Sequence, residues 1–297
     1  MLPAHVPVVN DPARRPDPSH RRPHRREIVL VGPCAWPDMG VTAAAWPDCE
    51  VIELQREADA LSYLSTRAVD VVLTSPTASA SRVMNIARRA RELQPGVRVI
   101  VLAADLGQAD ILDALRNQVY ATFTLPVAAD DLRATIRQAL ADDEWQSGIE
   151  VTSAVPHWIA LRVACRRVNA ERLTHFMNEL SGDLPATDRY QLITAFREVL
   201  LNAMEHGAGF DPEKVVEVAA VRTRRTLVYY FKDPGPGFNV QEPGLVASEV
   251  DPLSHLEQRE ASGRRAGGFG LLLTSKLVDE VHYNERGNEV VLIKHLD

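Results

Sequence analysis

The first half of the chain alternates short apolar runs with amphipathic segments. The apolar runs are bounded by polar or glycine-containing turns and occupy residues 28–31, 51–54, 69–73, 97–102 and 121–124. Apolar residues at helical spacing recur between and after these runs, at residues 57–66, 79–93, 108–117 and 129–140. Continuous apolar strands that alternate with helices are typical of a parallel sheet covered by helices. The sequence therefore predicts a flavodoxin-like, doubly wound α/β domain.

Composition bounds the class of protein. At 297 residues, with 45% hydrophobic and 25% charged residues, the chain has the length and balance of two soluble globular domains. No apolar run reaches the length of a membrane span, and the N-terminus lacks the apolar core of a signal peptide. The cysteines are scattered without metal-ligand spacing, which is typical of a reducing compartment. We therefore expect a cytoplasmic protein without membrane contact.

The N-terminal residues 1–26 are rich in arginine and proline. A segment of this composition has too few apolar residues to bury a core, so we expect a disordered basic tail. A solvated tail is the simplest interpretation, and weak contact with RNA or an acidic protein is the alternative. The net charge of -7 for the whole chain argues against non-specific binding of nucleic acid.

The second half carries a distinctive turn at residues 233–238, Asp-Pro-Gly-Pro-Gly-Phe. It follows a β-like run at 227–231, so the Asp233 carboxylate is presented at the end of a strand. A carboxylate there accepts a hydrogen bond from the exocyclic amine of adenine, whereas guanine has a carbonyl at that position. Gly235 and Gly237 allow the backbone to pass close to the ring. On its own, Asp-Pro-Gly is also a common turn sequence.

Two further motifs flank this turn. Residues 190–207 have helical spacing and end at a glycine, and within them Glu198 and Asn202 lie one turn apart on one face. Downstream, a group of glycines precedes an apolar helix predicted at 271–278. Free backbone amides and the positive end of a helix dipole favour phosphate binding. The glycines in this candidate phosphate loop are Gly267, Gly268 and Gly270.

In this order, the three motifs resemble the N, G1 and G2 boxes of the Bergerat-fold (GHKL) ATPases, and they are most similar to those of the anti-sigma-factor serine/threonine kinases. The resemblance covers roughly the second half of the chain. It implies a Bergerat-fold α/β sandwich, in which one mixed sheet is covered on one face by helices. A helix is predicted at 169–180 with Asn169 as a candidate N-cap. Strands are predicted at 149–151, 158–163, 215–221, 226–231, 280–283 and 290–294.

The resemblance also implies two cofactors, ATP and Mg²⁺, and roles for individual residues. Asn202 is the implied Mg²⁺ ligand, Glu198 is the catalytic residue that orients or deprotonates the nucleophile, and Asp233 reads the adenine amine. The glycines that shape the adenine loop or donate amides to the phosphates are Gly235, Gly237, Gly267, Gly268 and Gly270. His206 is interpreted as a residue that caps helix carbonyls rather than as a ligand.

A polar segment at residues 239–266 is the implied ATP lid. We predict that it samples open states without nucleotide and closes over the γ-phosphate. Its candidate phosphate contacts are Arg259, Arg264 and Arg265, for which solvated surface arginines are an equal alternative.

The first half resembles a response-regulator receiver domain in its length and its five repeats. Receivers carry an acidic pair after the first strand, a phosphoacceptor Asp after the third, Thr or Ser after the fourth and Lys-Pro after the fifth. The residues at these places here are Gly32-Pro33, Thr74, Ala103 and Leu125-Pro126. Aspartyl phosphate and its metal therefore have no site. We predict a degenerate receiver that binds a partner, or a second copy of the chain, through its exposed helices and last strand.

The predicted units are a basic tail at 1–26, a receiver-like domain at 27–141, a linker at 142–148 and an ATP-binding domain at 149–297. The resemblance favours an ATP-binding regulatory protein that phosphorylates serine or threonine on a protein partner, either an antagonist protein or a sigma-like factor. The alternative is an ATP-dependent binding switch, which needs the same nucleotide-binding residues. A histidine kinase is less favoured because His157 and His175 lack the sequence context of a phosphoacceptor.

Overall fold

The structure, a computed structural model, describes residues 25–143, 145, 148–238 and 269–296. The strands of its first sheet are β1 Arg26–Val31, β2 Cys49–Leu54, β3 Val71–Thr74, β4 Arg98–Ala103 and β5 Ala121–Thr124. They are parallel throughout and lie in the order β2-β1-β3-β4-β5. This order is that of flavodoxin-like folds, so the predicted fold class of the first half is confirmed.

Helices lie on both faces of this sheet, at α1 Glu57–Leu64, α2 Ala80–Leu93, α3 Gln108–Arg116 and α4 Ala129–Ala141. Alternate residues of β1 enter two separate cores, with Val29 in one and Leu30 in the other. No helix connects β1 to β2, and the buried indole rings of Trp36 and Trp46 fill that place beside α4. Large aromatic side chains from an irregular loop thus complete the apolar layer that a helix would otherwise supply.

The second sheet has six strands, β6 Ile149–Val155, β7 Trp158–Ala164, β8 Val215–Arg222, β9 Thr226–Lys232, β10 Glu280–Tyr283 and β11 Glu289–His295. Their order is β10-β11-β9-β8-β7-β6, and every pairing is antiparallel. The predicted α/β sandwich is confirmed, but the prediction of a mixed sheet is wrong. Two helices connect β7 to β8, so the chain re-enters the sheet at the end where β7 finished and runs back against it.

The helices of the second half are α5 Arg167–Leu180, α6 Ala186–Asn202 and α7 Phe269–Leu277. The buried residues of β7 and β9 alternate with exposed or half-buried ones, and they share a core with α5 and α6. None of the helices in the described part of the chain has the length and apolar character needed to cross a bilayer.

Asn169 does not cap α5, contrary to the prediction. The residue before the helix is Arg166, and Asn169 lies inside the first turn, fully buried. Its Nδ2 donates to the carbonyl oxygen of Ala164 at 3.0 Å. The side chain therefore ties the start of α5 to the end of β7, because a buried amide must find a partner and the strand end offers a carbonyl.

Helix α5 joins the two halves by covering the outer edge of β5. The Arg172 Nε donates to the carbonyl oxygen of Tyr120 at 3.3 Å, and His175 Nε2 contacts the carbonyl oxygen of Thr122. Thr124 Oγ1 donates to Glu179 at 3.2 Å. Edge strands expose unpaired backbone groups, and side chains of α5 bond two of the carbonyl oxygens here. The last strand is therefore partly covered within the chain, and partner binding by the first half stays a prediction.

Arg172 is buried at the centre of this interface, only 6% exposed. Its guanidinium lies 4.5 Å from the ring centroid of Tyr120 and 5.4 Å from that of Trp145, and it donates to the Trp145 carbonyl at 3.4 Å. Burial lowers the pKa of Arg172 to about 10, which leaves the group protonated at neutral pH. Carbonyl oxygens and aromatic faces thus solvate a buried cation between the two halves.

Candidate functional site

A cavity of about 260 Å³ opens in the second half between α6, the end of β9, the β10–β11 hairpin and the start of α7. Its walls combine apolar side chains with a few polar groups that point to one place, which is the usual composition of a small-molecule site. The lining residues are Val199, Asn202, Ala203, His206, Gly207, Phe231, Asp233, Gly237, Phe238, Gly270, Tyr283, Gly287, Asn288, Glu289 and Val290.

Helix α6 and the turn that follows it form one wall of the cavity. The α-helix ends at Asn202 and continues as a single π-helical turn, Ala203–Gly207. Such turns are uncommon and occur frequently at functional sites. The widened turn places His206 and Gly207 on the cavity wall together with Asn202. His206 therefore lines the cavity, a place that its interpretation as a helix cap did not predict.

Asp233 stands opposite α6, directly after β9. Its Oδ1 accepts a hydrogen bond from the amide of Gly235 at 2.7 Å, so the loop that follows the strand holds the carboxyl group in one orientation. Burial raises the pKa of Asp233, and the Gly235 amide and the positive charge of Arg286 oppose that increase. A half-buried carboxylate with one oxygen occupied by the loop keeps its other lone pairs for a ligand donor in the cavity.

Gly207 packs directly against Asp233. A Cβ atom at Gly207 would stand 2.5 Å from the Asp233 Cβ and would overlap its carboxyl group. A Cβ at Gly235 would likewise lie 2.6 Å from the Gly207 carbonyl oxygen. The turn after α6 and the loop after β9 therefore meet backbone to backbone, which only glycine allows.

The β10–β11 hairpin fixes the loop from its other side. The Asp233 amide donates to the Asn288 carbonyl at 3.0 Å, and Asn288 Nδ2 donates to the Asp233 carbonyl at 3.3 Å. Arg286 Nε donates to the Pro236 carbonyl at 3.1 Å. Gly237 has a φ of +79°, and a Cβ there would overlap the Arg286 carbonyl oxygen. These contacts position the carboxylate and the glycine backbone before any ligand arrives.

Glu198 and Asn202 lie together beside Gly270, the second residue of α7. A Cβ at Gly270 would stand 3.2 Å from Glu198 Oε2 and 3.4 Å from Asn202 Nδ2. Arg197 forms an ion pair of 3.8 Å with Glu198, whose side chain is 32% exposed. The two polar side chains predicted from their helical spacing therefore point to the N-terminal end of α7, where backbone amides are available for an anion.

The structure brings four of the predicted residues to one cavity: Asn202, Asp233, Gly237 and Gly270. Gly235 does not line the cavity, but its amide donates to the Asp233 carboxylate, and Glu198 lies beside Gly270. The remaining predicted residues, Gly267, Gly268, Arg259, Arg264, Arg265 and the lid segment 239–266, lie outside the described residues.

Sequence reasoning missed several residues of the site. Gly207 was interpreted only as a helix stop, and Tyr283, Gly287 and Asn288 carried no predicted role, yet all of them line the cavity. Asn288 is 8% exposed and bonds the Asp233 backbone. The Gly-Asn pair at 287–288 between two apolar runs was a hairpin signal, but only the folded sheet places this hairpin beside the turn at residues 233–238.

The side chains present fit a nucleotide and a hard cation. The amide oxygen of Asn202 and the carboxylate of Glu198 are oxygen donors of the kind that Mg²⁺ prefers, and they lie beside the start of α7. Asp233 supplies a further acceptor in the lining of the same cavity. Within the described residues, no group of three His, Cys, Asp or Glu side chains forms a metal site of its own. Phosphate oxygens of a nucleotide would therefore have to complete the ligand set of such a cation.

In the first half, the residues after β1 and at the end of β3 form hydrogen bonds with one another and with neighbouring backbone. Thr74 is fully buried, and its Oγ1 accepts from the Leu102 amide at 3.2 Å. The hydroxyl of Ser75 donates to the Pro33 carbonyl, and Gly32 has a φ of +88° with its Cα against Ser75. Small hydroxyl side chains thus close this end of the sheet on its own backbone.

Comparisons with known proteins found one matching family model and several similar solved structures. Residues 163–294 match the family model of the histidine kinase-like ATPase domain. No curated protein matches the chain. Three similar solved structures are a CheY-like response regulator receiver domain from Methanospirillum hungatei, a response regulator from Thermotoga maritima and the signal receiver domain of an HD domain-containing protein from Pseudomonas fluorescens.

The identities are 18%, 20% and 22%, with TM-scores of 0.36, 0.35 and 0.36 in the same order. The alignments cover 40%, 39% and 40% of this chain and 96%, 98% and 98% of those chains. The fold of the first half rests on its own strand order, β2-β1-β3-β4-β5, which is flavodoxin-like. The matched residues 163–294 include every residue that lines the glycine-walled cavity.

Proposed function

We propose that this chain is a regulatory protein serine/threonine kinase of the anti-sigma-factor type, which binds ATP with Mg²⁺ and phosphorylates a protein antagonist. The observation that supports the proposal most is the arrangement around Gly270. Glu198 and Asn202 lie beside the N-terminal end of α7, and Asp233 stands on the other wall of the same cavity. Adenine and phosphate would therefore be held at opposite ends.

Each side chain has a distinct task in this proposal. Asp233 accepts the adenine amine, and the amide end of α7 holds the phosphates. Asn202 would hold Mg²⁺, which supplies positive charge against the phosphate oxygens. Glu198 orients the attacking hydroxyl group and accepts its proton. Arg197 lies 3.8 Å from the Glu198 carboxylate and helps to position it.

The first test is nucleotide binding followed by phosphate transfer. Isothermal titration should show Mg²⁺-dependent binding of ATP with a clear preference over GTP, since guanine presents a carbonyl to Asp233. The partner recovered from the native cell should then acquire labelled γ-phosphate on serine or threonine. Equal affinity for ATP and GTP would contradict the assigned role of Asp233.

The second candidate function is an ATP-dependent binding switch. It is favoured by one observation: the receiver-like half is joined to the ATPase half through α5, which packs on α6. Nucleotide binding would then change the affinity for a partner without phosphate transfer. A single-turnover reaction separates the two functions, because a switch binds ATP and partner but leaves the partner unphosphorylated.

A further inference from the structure

The floor of the cavity contains a row of side chains that runs across three strands. Register pairs Phe231 of β9 with Val290 of β11, and Val290 with Tyr283 of β10. All three residues line the cavity. Residues that are paired on neighbouring strands point to the same face of a sheet. Tyr283 therefore lies on the helical side of the sheet, at the β10 end of this row.

The Tyr283 ring is held in place by a second aromatic side chain. Its plane meets that of Phe238 at 67°, with 5.6 Å between the ring centroids. Edge-to-face contacts of this kind are favourable between aromatic rings. Phe238 belongs to the loop after β9, to which Arg286 and Asn288 donate hydrogen bonds. The position of the Tyr283 ring is therefore set before a ligand binds.

The hydroxyl group of Tyr283 has no hydrogen-bond partner within the described part of the chain. Two other tyrosines of the same sheet differ from it, because the hydroxyl of Tyr229 bonds Ser181 and that of Tyr230 bonds Glu289. Burial raises the pKa of Tyr283 to about 12, so the hydroxyl keeps its proton at neutral pH. This half-buried donor on the cavity wall is available for an acceptor atom of a ligand.

Tyr283 is separated from the base end of the proposed nucleotide site. Asp233 directly follows β9, and β11 lies between β9 and β10 in the sheet. Two strand spacings amount to about 10 Å, which is more than the length of a purine ring system. Helix α7, whose second residue is Gly270, packs on β10. A nucleotide that runs from Asp233 to Gly270 would therefore pass its sugar and α-phosphate, rather than its base, over Tyr283.

We propose that Tyr283 is a further nucleotide-binding residue, whose hydroxyl donates a hydrogen bond to an oxygen of the sugar or the α-phosphate. The inference rests on the proposed ATP site, and it adds a contact that lies outside the three sequence motifs. The acceptor belongs to the part that ATP, ADP and AMP share. The contact should therefore strengthen the binding of all three nucleotides by the same factor.

The test is the conservative variant Tyr283→Phe, which removes the hydroxyl and keeps the ring that contacts Phe238. Its affinity for ATP should fall by about three- to tenfold, the effect of one neutral hydrogen bond, and the loss should be equal for ADP and AMP. Calorimetry measures ATP and ADP, and competition against ADP measures AMP. Tyr190→Phe is the matched control, since Tyr190 is 72% exposed on α6 and is not among the cavity residues.

Two results would overturn the role of Tyr283 while leaving the ATP site intact. One is wild-type affinity of Tyr283→Phe for all three nucleotides. The other is a loss confined to nucleotides that carry a β- or γ-phosphate, which would place the hydroxyl at the far end of the phosphate chain. A wild-type protein that binds none of the three nucleotides would refute the proposed function, and this inference with it.

Discussion

Gly207 and Asp233 are in direct contact at the wall of the cavity: a Cβ atom at position 207 would stand 2.5 Å from the Cβ of Asp233. The two residues come from different elements, the π-helical turn after α6 and the loop after β9. Their contact sets the distance between the helix that carries Asn202 and the carboxylate on the opposite wall. The size of the cavity therefore depends on a residue that has no side chain.

We expect Gly207→Ala to lower ATP affinity by at least about tenfold and stability by about 1–3 kcal/mol, because the added methyl group must push Asp233 out of place. Titration calorimetry and chemical denaturation measure the two effects. The control is Gly107→Ala, where a Cβ would meet nothing closer than 3.5 Å. An affinity that is unchanged in Gly207→Ala would show that Asp233 does not need its present position.

As pH is lowered, nucleotide affinity should begin to fall at a higher pH than it would if Asp233 had the ordinary pKa of an aspartate. Burial raises the folded-state pKa of Asp233 above its ordinary value of 3.8, so protons displace the acceptor form at a higher pH. The contribution of Asp233 to folding stability depends on pH in the opposite direction to nucleotide affinity. Folding favours its protonated form, so that contribution is present below 3.8 and is lost as pH rises through the raised pKa.

The measurement is ADP affinity across the acid range for the wild type and Asp233→Asn. The asparagine keeps an acceptor oxygen but does not titrate, and the nucleotide titrates equally in both series. We expect the ratio of the ADP affinities of the wild type and Asp233→Asn to change with pH in the range above 3.8. Parallel curves would mean that the Asp233 carboxylate does not contact the base.

Glu198→Gln should bind ATP nearly normally and lose phosphate transfer to the partner by about 10²–10⁴-fold, because the amide cannot accept the proton of the attacking hydroxyl. Glu205→Gln is the matched control, since Glu205 is exposed on the next turn of the same segment. Transfer by Glu198→Gln at the wild-type rate would rule out the proton-acceptor role. A wild-type protein that binds ATP and partner without transfer would favour the switch.

The receiver-like half should take no phosphate from acetyl phosphate and Mg²⁺. Thr74 occupies the acceptor place and is fully buried, with its hydroxyl oxygen bonded to the Leu102 amide. Intact-mass measurement should therefore show no added phosphate on the chain. A stoichiometric, base-labile adduct on a fragment from this half would contradict the prediction.

Replacement of Arg172 by methionine should destabilise the protein by about 2–4 kcal/mol, because the carbonyls of Tyr120 and Trp145 lose their donor inside the interface. Urea denaturation followed by circular dichroism measures the loss. Arg89→Met is the control, since Arg89 is exposed on α2 and should change stability by less than about 0.5 kcal/mol. Equal stability of the two variants would mean that Arg172 does not hold the halves together.

Local patterns in the sequence predicted most elements of both halves. The period of the apolar residues indicates a strand or a helix because each element buries one face or both, and that property is local. The sequence also showed that Gly32 and Thr74 stand where receivers carry acids. It showed Asn202, Asp233 and Gly270 as well, since each of these features depends on residue type at a short spacing. Helix α5 shows where local patterns fail. Its extent was predicted, but Asn169 was predicted as the N-cap before the helix, whereas it lies inside the first turn.

What the sequence by itself determined is therefore the list of elements, the parallel character of the first sheet and the chemistry of the three motifs. Only the tertiary structure decided the direction of the strands in the second sheet, the contact of Gly207 with Asp233 and the hydrogen bond from Asn288 across 55 residues. It also decided that α5 covers the edge of β5 through Arg172. Contacts between distant segments depend on how whole elements pack, and no local period encodes which faces will meet.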